Sequence, residues 1–334
     1  MKKQLFLLLL TAIFSFGNDI NSTTEINKST FIGDLMEEVS STLDANITDK
    51  VKLENLKSYI TSLQFDDKVD NEKYKFNLMG YNETYIFLGG YSPTKLYEKE
   101  WSDAYTSTNK YQRDKNEAQF QISFKLPLYK NFLNSKGDLF TAYTQNSYWQ
   151  VYNTEYSSPF RETNYQPELF VEWHNDKKFG DSKLIQSKLA LIHQSNGQDV
   201  GQSRSWNRTE LSFLFQNDNF YYGTNIWDRW DEKGKTDANA TTGDDNPDLE
   251  NLIGNQKYFV KYKGDKISIT LAHQNDILNY DINKGNTKID FSFPSPNKNF
   301  DFFVRYFNGY GESLVDYNIK IERISFGILI ADWI

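Results

Sequence analysis

No cysteine occurs in the 334 residues, which excludes disulfides and thiolate metal sites. Excess positive charge is missing too: the net charge is −8, so there is no basic surface to hold nucleic acid. Long apolar runs are absent beyond the first residues, and a mean hydropathy of −0.68 rules out a helical membrane protein. The GxSxG elbow of soluble α/β esterases is also absent. None of these absences excludes a membrane β-barrel, in which only alternate residues of each strand face lipid. What is abundant fits that class. Aromatic residues make up 16% of the chain (22 Tyr, 25 Phe and 7 Trp), the bias expected where aromatic girdles sit at two membrane interfaces.

The N-terminus reads as a secretory signal peptide over residues 1–17. Lys2 and Lys3 precede an apolar run from Leu5 to Phe16, and Ser15, Phe16 and Gly17 offer a small-residue cleavage neighbourhood. Residues 18–73 are polar with rough helical periodicity, for example FIGDLMEEVSSTLD, and are expected to form a periplasmic extension, partly helical or disordered. From about Tyr74 the period changes to two and persists through residues 74–334. In the clearest case Ala118, Phe120, Ile122, Phe124 and Leu126 alternate with Gln119, Gln121, Ser123 and Lys125.

Runs of this kind predict an all-β, antiparallel transmembrane barrel of about twelve strands, near 84–92, 115–127, 138–152, 164–175, 183–195, 205–216, 219–230, 255–263, 266–275, 286–294, 300–309 and 317–331. Long polar connections alternate with short ones such as QNDN at Gln216 and KGDK at Lys263, the outer-membrane pattern. Inward Lys125, Lys188, Arg208, Glu210, Lys320 and Glu322 are expected to pair and plug the lumen.

The segment HQSNGQDVGQSRSWNR, from His193 to Arg208, carries the chemistry. In a strand, residues i and i+2 project from one face about 7 Å apart, so the His193 imidazole can reach the Ser195 hydroxyl. A paired antiparallel strand beyond the polar turn would bring the Asn207 amide beside the imidazole to fix its tautomer. A histidine and serine so spaced are commonly ordinary strand polars. Parity singles these out: His193 and Ser195 share a face with Leu189 and Leu191, and Asn207 shares one with Thr209, Leu211, Phe213 and Phe215. An even strand count keeps both termini periplasmic, so this strand end lies at the outer side and the three residues face lipid of the outer leaflet. The substrate of such a nucleophile must itself be a membrane lipid.

From about residue 76 to its end the chain resembles outer-membrane phospholipase A. The likeness rests on YTQNSYWQ at Tyr143, SSPFRETNYQPELF at Ser157, HQSNG and SRSWNR around the candidate triad, DDNPD at Asp244 and YGESLVDYN at Tyr310. It implies a phospholipase releasing sn-1 and sn-2 acyl chains from phospholipids and lysophospholipids, with Ser195 the nucleophile, His193 the base and Asn207 its orienting partner. It also implies Ca2+, held by the Ser203 hydroxyl and Gln198 carbonyl of one subunit and Ser157 of the other, with the Gly197 N–H in the oxyanion hole and Gln145 at the interface of an active homodimer. The family's arginine is here Gln198. A second, monomer-state calcium site matches Asp245 in one acidic position but Val200 in the other, with Asp199 displaced by one. The chain ends in Ile334 instead of an aromatic, with Trp333 adjacent. The rival reading is a non-enzymatic barrel, either a channel or an adhesin displaying its long loops.

Overall fold

The computed structural model describes residues 78–94, 113–199, 201–237, 240 and 242–334; the signal peptide and the whole N-terminal extension over residues 18–73 lie outside the described residues. Thirteen strand segments form one antiparallel sheet: β1 (Met79–Gly80), β2 (Thr84–Tyr91), β3 (Asn116–Tyr129), β4 (Asp138–Trp149), β5 (Phe160–Phe179), β6 (Ser182–Ser195), β7 (Ser205–Asn217), β8 (Phe220–Arg229), β9 (Gln256–Lys263), β10 (Ser268–Asn275), β11 (Asn286–Pro294), β12 (Asp301–Gly309) and β13 (Ile321–Ala331). Both β1 and β2 pair with β3, one after the other, and so form a single interrupted strand. Because β2 also pairs with β13, and β3 with β4, the sheet closes into a twelve-strand barrel. The closing seam is tight: a Cβ on Gly327 would lie 2.0 Å from the Ile86 carbonyl oxygen, so only glycine fits there.

The barrel is inside out relative to a water-soluble domain. On β3 the buried residues include Glu117, Gln119, Ser123 and Lys125, while Ile122 is exposed; on β13 Arg323 and Ser325 are buried while Ile324 and Phe326 are 53% and 60% exposed. Apolar residues can project outward in such numbers only if the surrounding solvent is hydrocarbon. Inside, charges pair. Lys125 bonds Glu172 at 2.9 Å, Arg305 grips Asp290 at 2.7 and 2.9 Å, and Lys188 lies between Glu168 and Glu210 at 3.6 and 3.5 Å. Arg208 adds a 3.7 Å contact to Glu210. A cavity of about 180 Å³ remains among Lys125, Glu172, Lys188, Lys257 and Lys288.

Three expectations are corrected. Lys320 and Glu322 do not face the lumen: both are exposed, and Glu322 accepts a hydrogen bond from the Tyr306 hydroxyl. Arg323 takes the inward position because the carboxylates of Glu117 and Glu312 wait there, at 3.4 and 2.7 Å. The last strand accordingly starts at Ile321, since residues 313–317 turn inward, with Asn164 and Glu162 accepting from the Leu314 and Val315 N–H groups. Strand β5 begins earlier than its polar sequence suggests for the same reason: Arg161, Glu162 and Asn164 bond into these loops instead of ending the strand.

Connections 180–181, 218–219 and 264–267 are short; 196–204, 230–255, 276–285 and 310–320 at the opposite end are long. The long ones fold over the lumen. A short helix α1 (Leu249–Ile253), which no sequence periodicity announced, packs Leu249 and Ile253 against Trp206, Trp227, Leu314 and Tyr317. Burial, with Asp248 beside it, pushes the Tyr317 hydroxyl above the usual phenol range, so it stays protonated and donates to that carboxylate.

Candidate active site on the outer wall

Strands β6 and β7 pair with His193 directly opposite Asn207 and Ser195 opposite Ser205. Their neighbours Ile192, Trp206 and Arg208 are buried inward, so by the two-residue period His193, Ser195 and Asn207 point outward, into the apolar surroundings of the wall. The His193 Nδ1 and Asn207 Oδ1 atoms are 2.8 Å apart, a hydrogen bond in which the ring donates if Nδ1 carries the proton. With that tautomer Nε2 carries the lone pair, and Ser195 lies two residues along the same outward face. The Ser195 hydroxyl has no internal partner among the described residues, and catalytic hydrogen bonds of this kind often tighten only when substrate binds.

The turn after Ser195 is held by Asn196, which is buried. Its Oδ1 accepts from the Arg204 N–H at 2.9 Å, and its Nδ2 donates to the Gln202 carbonyl at 2.9 Å and to Glu162 at 3.4 Å. Glu162 in turn bonds Asn164 and the Val315 N–H, tying the turn to the loops over the lumen. Gly197 then takes φ of +62°, a left-handed conformation natural to glycine, and a side chain there would also press on the Tyr165 ring at 3.2 Å. Its N–H has no acceptor among the described residues and lies two residues beyond Ser195 in the chain.

The proposed cation ligands are arranged as follows. Gln198 and Ser203 lie on this same turn; neither the Gln198 carbonyl nor the Ser203 hydroxyl has an internal partner among the described residues, so both oxygens are free for a hard cation. Ser157 is exposed, with φ of +60°, on the separate β4–β5 connection. Asp245 is engaged in an ion pair with Lys235, so a cation at that carboxylate would have to displace an ammonium; Val200 is outside the described residues. Gln145 sits on the outward face of β4, where it accepts from the Tyr143 hydroxyl at 3.1 Å and donates to Ser147 at 3.2 Å.

Sequence reasoning missed Glu162, Asn196 and Glu232. Glu232 accepts a hydrogen bond from Asn207 Nδ2 at 3.2 Å from within the polar 230–255 connection, where nothing in the residue pattern marks it.

The Phospholipase A1 family model matches residues 62–330. Phospholipase A1 of Escherichia coli strain K12 is 32% identical over 258 residues, which is 77% of this chain and 82% of that protein. The homologue from Salmonella typhimurium is 31% identical over 257 residues, with the same coverage. Outer membrane phospholipase A from Escherichia coli superposes with a TM-score of 0.65 at 29% identity, covering 78% of this chain and 100% of that one. A Salmonella typhi outer membrane phospholipase dimer with bound calcium superposes at 0.66 and 28% identity, covering 79% and 96%. Barrel, outward polar trio and these likenesses converge: the chain belongs to the phospholipase A1 family of ester hydrolases, built as an outer-membrane β-barrel.

Proposed function

We propose that this phospholipase cleaves sn-1 and sn-2 acyl esters of phospholipids and lysophospholipids in the outer leaflet by a calcium-dependent Ser-His-Asn mechanism, active as a homodimer. The observation that carries the reading is the 2.8 Å His193–Asn207 hydrogen bond on the lipid-facing wall, with Ser195 two residues along the same face. His193 Nε2 takes the Ser195 proton as the oxygen attacks the ester carbonyl carbon. Asn207 keeps the ring tautomer and steadies the imidazolium. The Gly197 N–H donates to the oxyanion. When the tetrahedral intermediate collapses, the imidazolium returns its proton to the departing lipid alcohol, and water then enters by the same route to release the fatty acid.

Calcium fits the donor chemistry of the 196–204 turn: the Ser203 hydroxyl and Gln198 carbonyl would hold it, with Ser157 of a second copy completing the set. It would supply charge stabilisation to the oxyanion. The calcium-bound dimer of the Salmonella typhi relative supports this, as does the presence of only two of the three oxygens on one turn. A site completed by two chains links metal binding to association. Against the channel reading stand the paired charges that fill the lumen and the inward-folded loops above it.

Acyl release from mixed phospholipid–detergent micelles, measured with and without calcium alongside crosslinking, tests the proposal. Ser203→Ala is expected to raise the calcium concentration for half-maximal activity about tenfold and to weaken the crosslinked dimer in step, as the loss of one hydrogen-bonding or metal contact would. Full activity from a demonstrably monomeric protein, or dimerisation indifferent to calcium, would defeat the dimer-linked part.

A further inference from the structure

The third member of the candidate triad is an amide, and an amide has two faces of nearly equal shape. With Oδ1 toward His193 it accepts the imidazole proton; flipped by a half turn it would present a second donor to that proton and lose the bond. In this chain something chooses. Glu232 Oε1 lies 3.2 Å from Asn207 Nδ2, on the side away from the imidazole. Flipping the amide would therefore create two repulsive contacts, oxygen against carboxylate and NH2 against ring N–H.

The carboxylate is not there by accident of a wandering side chain. The Trp230 N–H donates to the Asn207 carbonyl at 2.9 Å, extending the β7–β8 ladder past its end, and the Trp230 indole donates to Thr209 Oγ1, also at 2.9 Å, on the outward face of β7. Arg229 is anchored to the Asn246 carbonyl and to Asp244 at 2.9 and 2.8 Å. The backbone entering Glu232 is thus clamped from both sides. The residue is half-buried, and among the described residues no lysine or arginine pairs with it: Lys235, on the same connection, is taken by Asp245.

We propose that Glu232 is a positioning residue for the esterase reaction, holding the Asn207 amide with its oxygen toward His193 and lending negative charge, through that amide, to the imidazolium formed when His193 takes the Ser195 proton. The proposal rests on the Ser-His-Asn reading above and deepens it. The charge sits one hydrogen bond behind the amide, so the site keeps a neutral partner in contact with the ring while gaining carboxylate stabilisation from further out. The hydrogen bond to a charged acceptor is also the stronger kind.

The test is the pH dependence of ester hydrolysis by the full chain in micelles with saturating calcium. Glu232→Gln keeps an acceptor oxygen but removes the charge; it is expected to lower kcat about three- to tenfold with KM little changed, and Glu232→Ala about tenfold or more. Because the imidazolium loses a stabilising charge, the acid limb of the kcat profile should move to lower pH in Glu232→Gln. A merely structural defect would lower activity without moving that limb. Glu232→Asp should recover part of both effects. In an Asn207→Ala background Glu232→Gln should change nothing further, since the carboxylate acts only through the amide. A Glu232→Gln enzyme with wild-type kcat and an unmoved acid limb overturns the proposal, as does an equal loss with and without Asn207. Ser195→Ala run in parallel separates the two levels: if it stays active the triad reading falls, whereas an inactive Ser195→Ala beside an unaffected Glu232→Gln removes only the role of Glu232.

Discussion

Ser195→Ala is expected to lower acyl-ester hydrolysis by at least about 10³-fold while the barrel folds and inserts as before, because nucleophile and base act as a unit. The folding half of the expectation follows from position. Ser195 closes β6 on the outward face, its hydroxyl bonds nothing in the described structure, and the ladder to β7 runs through backbone groups that alanine retains. His193→Ala should behave alike, and the double variant should lose little more than either single one. Asn207→Ala should fall in between: base and nucleophile survive, but the ring loses the 2.8 Å contact that fixes its tautomer. Turnover by purified protein, with native folding checked by circular dichroism in the same micelles, decides. Activity of Ser195→Ala within about tenfold of wild type would remove Ser195 from the reaction, since loss of an attacking oxygen has no cheaper substitute.

The barrel was legible because its two solvents leave a period-two signature on every strand. Alternation on β3 marked Ile122 as lipid-facing and Ser123 as inward, and both stand so. Twelve runs of that kind, with connections alternating in length, sufficed for a closed outer-membrane sheet. The failures came where the period stops carrying information. At the long-loop end water, loops and lumen replace lipid, so Arg161 and Glu162 looked like loop residues although they extend β5. Lys320 and Glu322 looked like lumen polars although Arg323 was the residue with carboxylates waiting inside.

The candidate site divides in the same way. His193, Ser195 and Asn207 sit on strands, and their shared face could be read from spacing, as could the cross-strand approach once a hairpin was assumed. Their supports come from sequence-distant loops: Glu162 reaches Asn196 from 34 positions away, and Glu232 reaches Asn207 from 25. No local pattern encodes such pairings. A single-turn helix of five residues, α1, is also too short to leave a helical period.

Glu117→Ala is expected to be the most destabilising single change in the lumen, lowering unfolding stability in micelles by about 3 kcal/mol, the effect of stranding a buried charge partner. Glu117 is not one half of a simple pair. Its carboxylate takes a two-pronged grip from Arg161 at 2.7 and 2.9 Å, a hydrogen bond from Gln150 at 3.0 Å, and the approach of Arg323 at 3.4 Å. Both Glu117 and Arg161 side chains are only 1% exposed, so no water is at hand to replace the lost oxygens. Removing the carboxylate leaves two guanidinium groups facing each other across a low-dielectric space. Asp316 and Glu312 still neutralise part of that charge, which is why the expected loss sits at the low end for a broken buried pair. Glu117→Gln, which keeps one acceptor oxygen, should cost less than alanine and so separate charge from hydrogen bonding. Arg161 also bonds Ser313 and Asp316, so the 310–320 loop should loosen along with the wall. The hydrolytic rate per folded molecule should nonetheless hold within a few-fold, because His193, Ser195 and Asn207 lie on the other face of the wall, three to four strands from Glu117. Chemical unfolding followed by tryptophan fluorescence, with the rate normalised to the folded fraction, checks both halves; an unchanged unfolding midpoint would mean that the lumen charges are solvated and the barrel interior is wet.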